Sequence, residues 1–204
     1  MVNDVTTRAP ERRAAPGTLG LAVEAVLTAS SAGTFVSVRV QSVQLDYGGI
    51  PGDRHHGLTM RTNSREVRAY ARGTEVRNRR QLTLLSAEEC ADVARRLAID
   101  SLEPEWLGAN VLVSGCPEFS CLPVGTRLLF PSGAGLVCEG ENLPCRNPGE
   151  VVQQRHPAVR GLVRAFVREA YGRRGIVASV ERPGEIRSGD RARIVRPPVY
   201  TTLT

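Results

Sequence analysis

The chain has 204 residues, a formal net charge of +6 and only 4% aromatic residues. That length can bury one sizeable core, and no run of about 18 apolar residues is present to span a membrane. Every basic side chain is arginine, which holds phosphate and carboxylate bidentately. An anionic ligand is therefore expected before nucleic acid, since the scattered aromatics make no stacking platform and no helix-turn-helix or finger spacing occurs.

Met1 to Pro16 is polar and charged and lacks the apolar stretch of a signal peptide. Residues 1–18 are expected to form a disordered leader of a cytoplasmic protein, 19–196 a single domain, and 197–204 a frayed tail. Leu19–Thr28 and Phe35–Leu45 read as strands joined by the turn Ser30-Ser31-Ala32-Gly33. The second alternates, with Val36, Val38 and Val40 opposite Ser37, Arg39 and Gln41. Gly48–Gly57 follows, a loop of four glycines and a proline carrying Asp53, Arg54, His55 and His56. Such a loop can bring N–H groups and a guanidinium to an oxyanion; it is no P-loop, because no Gly-Lys-Ser/Thr follows.

Met60–Arg80 is polar and weakly periodic and reads as a long excursion or lid. Gln81–Leu85 is a short strand, and Ser86-Ala87-Glu88-Glu89 a capping box that starts a helix to about Leu97. Trp106–Asn110 leads into the strand Val111–Val113. Thr126–Phe130 and Gly135–Cys138 form a hairpin about Pro131-Ser132-Gly133. Pro157 is expected to open a helix to Tyr171, with Val159, Leu162, Val163, Phe166, Val167 and Ala170 on its apolar face and Arg160, Arg164 and Arg168 as a charged stripe. Ile176–Glu181 is a strand, Gly184–Asp190 a turn, and Arg191–Val195 the last strand. Seven or eight short strands with two main helices predict a mostly-β, α+β domain.

The five cysteines are odd in number and carry no secretion signal, so a disulfide framework is not expected. Cys90 on a helix and Cys138 in a strand read as packing residues. Cys145 differs. Asn142-Leu143-Pro144-Cys145-Arg146 sits on a segment stiffened by two prolines, with Arg155 and His156 close behind. Positive charge beside an exposed thiol favours the thiolate, which can attack, carry sulfur or bind a soft metal.

Four segments in order carry a resemblance to the MOSC domain family, named for the C-terminal domain of molybdenum cofactor sulfurase. They are Gly49-Ile50-Pro51-Gly52-Asp53-Arg54-His55-His56-Gly57, Leu107-Gly108-Ala109-Asn110, Asn142-Leu143-Pro144-Cys145 and Gly184-Glu185-Ile186-Arg187-Ser188-Gly189-Asp190. The resemblance implies a β-barrel-like domain, here as a stand-alone bacterial-type module. It also implies that Cys145 matches the family's essential cysteine, which ligates molybdenum of a pterin cofactor or carries sulfur as a persulfide.

Three functions are weighed on this basis. The first is a module binding molybdenum cofactor (molybdopterin) that performs two-electron reduction of an N-oxygenated small molecule, drawing on an external electron donor. The second is a persulfide carrier or sulfurtransferase fed by a cysteine desulfurase. The third is a non-catalytic pterin or anion binder. Cys145, Asp53, His55 and His56 are the expected catalytic residues, Cys145 also being the molybdenum ligand. Gly52, Arg54, Gly57, Asn110, Asn142, Arg146 and Arg164 are the expected cofactor-binding residues. The 49–57 loop and the Cys145 loop are expected to converge.

Overall fold

The computed structural model describes residues 20–30, 33–63 and 69–198; the expected leader and most of the expected tail lie outside these residues. Strand β1 (Gly20–Thr28) serves two cores. Its pairing shifts between Val23 and Ala25, and a bulge of this kind turns the following side chains over. Leu21, Val23 and Val26 therefore face one apolar cluster, and Ala25 and Leu27 face another.

The remaining elements are β2 (Val38–Val40), β3 (Ser42–Leu45), β4 (Thr59–Arg61), β5 (Glu75–Arg77), β6 (Leu82–Ser86), α1 (Ala87–Leu97), β7 (Val111–Ser114), β8 (Arg127–Leu129), β9 (Gly135–Glu141), α2 (Arg146–Arg155), α3 (Leu162–Glu169), β10 (Ile176–Arg182), β11 (Gly184–Arg187) and β12 (Arg191–Val195). Seven strands close a barrel in the order β1, β12, β8, β9, β10, β6, β7 and back to β1. Only the β6–β7 contact in this ring is parallel. A parallel pair needs a crossover, and α1 provides it. Closure leaves no open edge around the ring.

The barrel interior holds Leu82, Leu84, Val113, Leu128, Leu136 and Ile176 among others. A second core lies between the barrel wall and the three helices, built on Leu85, Val93, Leu97, Leu107, Leu162 and Phe166. β6 is buried along its whole length because Leu84 faces inward and Leu85 faces the helices. Each fully buried leucine contributes about 1.5–3 kcal/mol of hydrophobic stabilisation.

The mostly-β, α+β barrel expected from the sequence is the observed fold, but several elements differ. Ser86 does cap α1, its hydroxyl accepting from the Glu89 N–H at 3.3 Å. Glu89 does not complete the box: its carboxylate is buried and accepts from the Ser120 N–H and hydroxyl at 2.8 and 2.6 Å. The expected strand Phe35–Leu45 breaks at Gln41 into β2 and β3, and its alternation does not decide burial, with Val38 exposed and Ser37 buried. The excursion 60–80 contains the hairpin β4–β5, with residues 64–68 outside the described set. The turn expected at Gly184–Asp190 begins as β11, paired with β3.

The largest correction concerns the helices, of which there are three α-helices among the described residues. The one expected at Pro157 starts at Leu162, and α2 directly follows Cys145 where only a loop was expected. Pro148 and Gly149 look like helix breakers. In the first turn, however, a proline's missing N–H has no intrahelical partner to lose. Gly149 answers a packing demand, since a Cβ there would lie 2.9 Å from the Val163 carbonyl oxygen on α3. Gln153 then ties the two helices, donating to Val159 O at 2.7 Å and accepting from the Leu162 N–H at 3.0 Å. Among the described residues no helix is long and apolar enough to cross a membrane.

Candidate functional site

β9 carries the chain to Asn142, which anchors the motif. Its N–H donates to Gly175 O at 2.9 Å, and its side-chain oxygen accepts from Arg80 Nη2 at 3.2 Å. Asn142 is buried, so Leu143 and Pro144 leave from a fixed point. Cys145 then takes the N-cap position of α2 with extended backbone, φ −142° and ψ 175°. Its side chain makes no capping bond and is half-buried. The sulfur thus stands at the helix end where unpaired N–H groups concentrate positive potential.

The glycine-rich loop reaches the same place by a different anchor. Asp53 is 5% exposed. Its Oδ2 accepts from the Ala29 N–H at 2.8 Å, Asn110 Nδ2 at 3.0 Å and the Thr28 hydroxyl at 3.3 Å. Its Oδ1 accepts from the His55 N–H at 2.9 Å and lies 3.4 Å from His55 Nδ1. Burial by itself would push this carboxyl up. The bonds from the His55 ring and from the Ala29 and His55 N–H groups outweigh it and hold the group below its ordinary value. Asn110, 1% exposed, passes the anchoring on by accepting from the Thr83 N–H at 2.9 Å. Asn78 holds the far side of the loop, donating to His55 O at 2.8 Å and Gly57 O at 3.1 Å.

The two segments converge on one cleft of about 170 Å³. Its walls include Cys145, His55, Asn142 and three arginines, Arg54, Arg80 and Arg174. Among the described residues no aspartate or glutamate lines it. Arg54 is exposed, and its N–H bonds Ala29 O at 2.9 Å. Arg174 is 5% exposed and gives one N–H to Leu107 O.

Of the residues expected at the site, Cys145, Arg54, His55 and Asn142 line the cleft. Asp53 and Asn110 stand behind it as struts. Gly52 and Gly57 shape the loop with φ of 82° and 153° and do not form the wall. His56 turns outward onto Asp46, with Nε2 at 2.9 Å from a carboxylate oxygen. Arg146 is 80% exposed and pairs with Glu150 at 2.7 Å, one helical turn on, so its charge leaves the cleft. Arg164 is exposed on α3, whose buried face is Leu162 and Phe166. Neither arginine lines the cleft.

Arg80 and Arg174 were not anticipated. The signal for Arg174 is its neighbour Gly175, whose φ of 76° and tight packing lock the start of β10: a Cβ there would lie 2.0 Å from Leu84 O. Burial pushes the thiols of Cys116 and Cys138 up, and that of Cys90 up to about 12, as suits packing residues. Among the described residues no group of three or more His, Cys, Asp or Glu side chains is placed to hold a metal ion.

The MOSC domain family model matches residues 53–193. YuaD of Bacillus subtilis (strain 168), named as a metal-sulfur cluster biosynthesis protein, is 50% identical over 161 residues, 79% of this chain and 83% of that protein. The crystal structure of the Bacillus subtilis YUAD protein superposes with a TM-score of 0.86 at 46% identity, covering 89% of this chain and 99% of that one. YiiM from Geobacillus stearothermophilus shares the fold, with a TM-score of 0.55 at 11% identity over 86% of this chain and 75% of that one.

Proposed function

The chain belongs to the MOSC domain family, and from that premise we propose that it carries sulfane sulfur on Cys145 for metal-sulfur assembly. One observation carries the reading: the Cys145 sulfur lies at the N-terminus of α2 in a small cleft walled by three arginines. The YuaD name points the same way.

In the proposed reaction the Cys145 thiolate attacks the outer sulfur of a persulfide on a cysteine desulfurase. A new S–S bond forms to Cys145 Sγ, the donor's S–S bond breaks, and the electron pair leaves on the donor thiolate. No net oxidation occurs. An acceptor thiolate later takes the outer sulfur and frees Cys145. Negative charge stays near Cys145 throughout, which suits the positive helix end and the guanidiniums. His55, oriented at Nδ1 by Asp53, supplies Nε2 as acceptor for the thiol proton.

Molybdenum cofactor is the second reading. A thiolate suits molybdenum and guanidiniums suit a phosphate. The cleft would not enclose a pterin: about 170 Å³ is available, against about 300–1,000 Å³ for sites that enclose a ligand of that size.

The test is to incubate the protein with cysteine and a cysteine desulfurase and weigh it intact. A gain of one sulfur atom is expected, retained in Cys121→Ser and lost in Cys145→Ser; Cys121 is the control because it is the more exposed thiol. Loading spread equally over both cysteines would sink the reading. So would stoichiometric molybdenum, dependent on Cys145, in protein made by a host that synthesises the cofactor.

A further inference from the structure

Arg54, Arg80 and Arg174 crowd the cleft more than a protein persulfide requires. A cysteine persulfide brings at most one negative charge, and it needs access to sulfur, not a cradle of guanidiniums. The three come from separate parts of the chain: the glycine-rich loop, the segment after β5, and the residue before Gly175. Each is positioned by its own contacts. Arg54 is held through its backbone to Ala29, Arg80 through Asn142, and Arg174 through Leu107. Arg174 is also buried, so its position in the wall is fixed by packing as well as by that bond. A guanidinium presents five N–H donors in one plane, so it can keep a wall contact and still hold an oxyanion. Arg54 is in no ion pair among the described residues.

Size narrows the ligand. The cleft, of about 170 Å³, is below the about 300–1,000 Å³ of sites that enclose a larger organic ligand. A small tetrahedral oxyanion fits within it, whereas a nucleotide or pterin would extend out of it. Half-buried Cys145 lines the same cleft, so an anion held there by the arginines shares that cleft with the thiol.

We infer that this cleft accepts a small sulfane-sulfur oxyanion as sulfur donor, a sulfur atom bonded to a sulfonate, of which thiosulfate is the simplest. The inference rests on the reading of Cys145 as a sulfur carrier and names a low-molecular-weight substrate for it. The Cys145 thiolate attacks the outer sulfur of thiosulfate. The bond from Cys145 Sγ to that sulfur forms as the sulfur–sulfonate bond breaks, and the electron pair leaves with sulfite. Charge is conserved and no oxidant is needed. The arginines hold the sulfonate oxygens of the substrate and the charge that collects on departing sulfite. A nucleophilic acceptor such as cyanide then removes the outer sulfur as thiocyanate and restores the thiolate.

The experiment treats the whole protein with sodium thiosulfate. It reads sulfite release, the gain of one sulfur atom at Cys145, and steady-state thiocyanate formation with cyanide. Stoichiometric sulfite with sulfur on Cys145 is expected, and both are lost in Cys145→Ser. Arg54→Ala, at an exposed position with little risk to folding, is expected to raise KM for thiosulfate about 10-fold or more, with Arg54→Lys between it and the parent. Arg80→Ala is the second variant and should act in the same direction. If a cysteine desulfurase loads Cys145 while thiosulfate releases no sulfite, the inference is overturned and the carrier reading stands. If neither donor loads Cys145, both fall. An unchanged KM in Arg54→Ala and Arg80→Ala would remove the arginine cradle even if sulfite is released.

Discussion

Replacing Asp53 with alanine tests what organises the cleft. The carboxylate is buried and accepts from Ala29, Asn110, Thr28 and His55. Alanine leaves the Ala29 N–H and the Asn110 side-chain amide without an acceptor in a buried place. Each orphaned donor costs about 1–3 kcal/mol. The His55 N–H and the Thr28 hydroxyl are only partly buried, and water can replace Asp53 for them. Removing a buried charge returns part of the loss, so a net destabilisation of about 2–4 kcal/mol is expected. Asp53→Asn keeps one acceptor oxygen, loses the other and should cost about 1–2 kcal/mol. Urea unfolding would show a lower midpoint with an unchanged slope. Persulfide loading of Cys145 should slow as well, because Arg54 and His55 follow Asp53 on the same loop. Both variants falling within about 0.5 kcal/mol of the parent would refute the argument, since that is the effect of an ordinary surface change.

Acid should expose the same anchor. The folded Asp53 carboxyl is held below its usual value, so between its folded and unfolded values the unfolded chain binds more protons. Its contribution is present above about pH 4 and is lost as pH falls through the folded value; the stability gap between the parent and Asp53→Asn, followed by thermal melts at stepped pH, should shrink there. Gly175→Ala combines a φ of 76° with a Cβ 2.0 Å from Leu84 O, so a loss of about 3 kcal/mol or more is expected as a lower Tm or insoluble protein. Iodoacetamide on the native protein should label Cys121 and Cys145 and spare Cys90, Cys116 and Cys138 until the chain unfolds, because only the first two are accessible. Cys90→Ser should lower stability by about 1–2 kcal/mol and leave Cys145 loading intact.

Local chemistry made part of this protein legible without coordinates. Ser86 caps α1 because a serine at an N-cap satisfies an N–H whatever surrounds it. The hairpin of β8 and β9 follows from short apolar runs either side of Pro131-Ser132-Gly133. Cys145 and the loop around Arg54 and His55 stood out by residue type and motif order, and those three do line one cleft. What the sequence could not decide depends on partners far along the chain. Pro148 and Gly149 look like a loop until α3 is packed against them, because a glycine's fit to Val163 is a fact about another helix. Asp53 looks like a reacting carboxylate until Ala29 and Asn110 close around it and make it an anchor. His55 and His56 are adjacent and chemically alike, and only the placement of Asp53 and Asp46 sets one at the cleft and the other beside Asp46. Arg80 and Arg174, among so many arginines, acquire meaning only when barrel closure brings β6 beside β10 and both line one cleft with Cys145. Hydrogen bonds within a turn or a two-strand loop are encoded where they occur, whereas the charge of a cleft is a sum over segments that meet only after the barrel has closed.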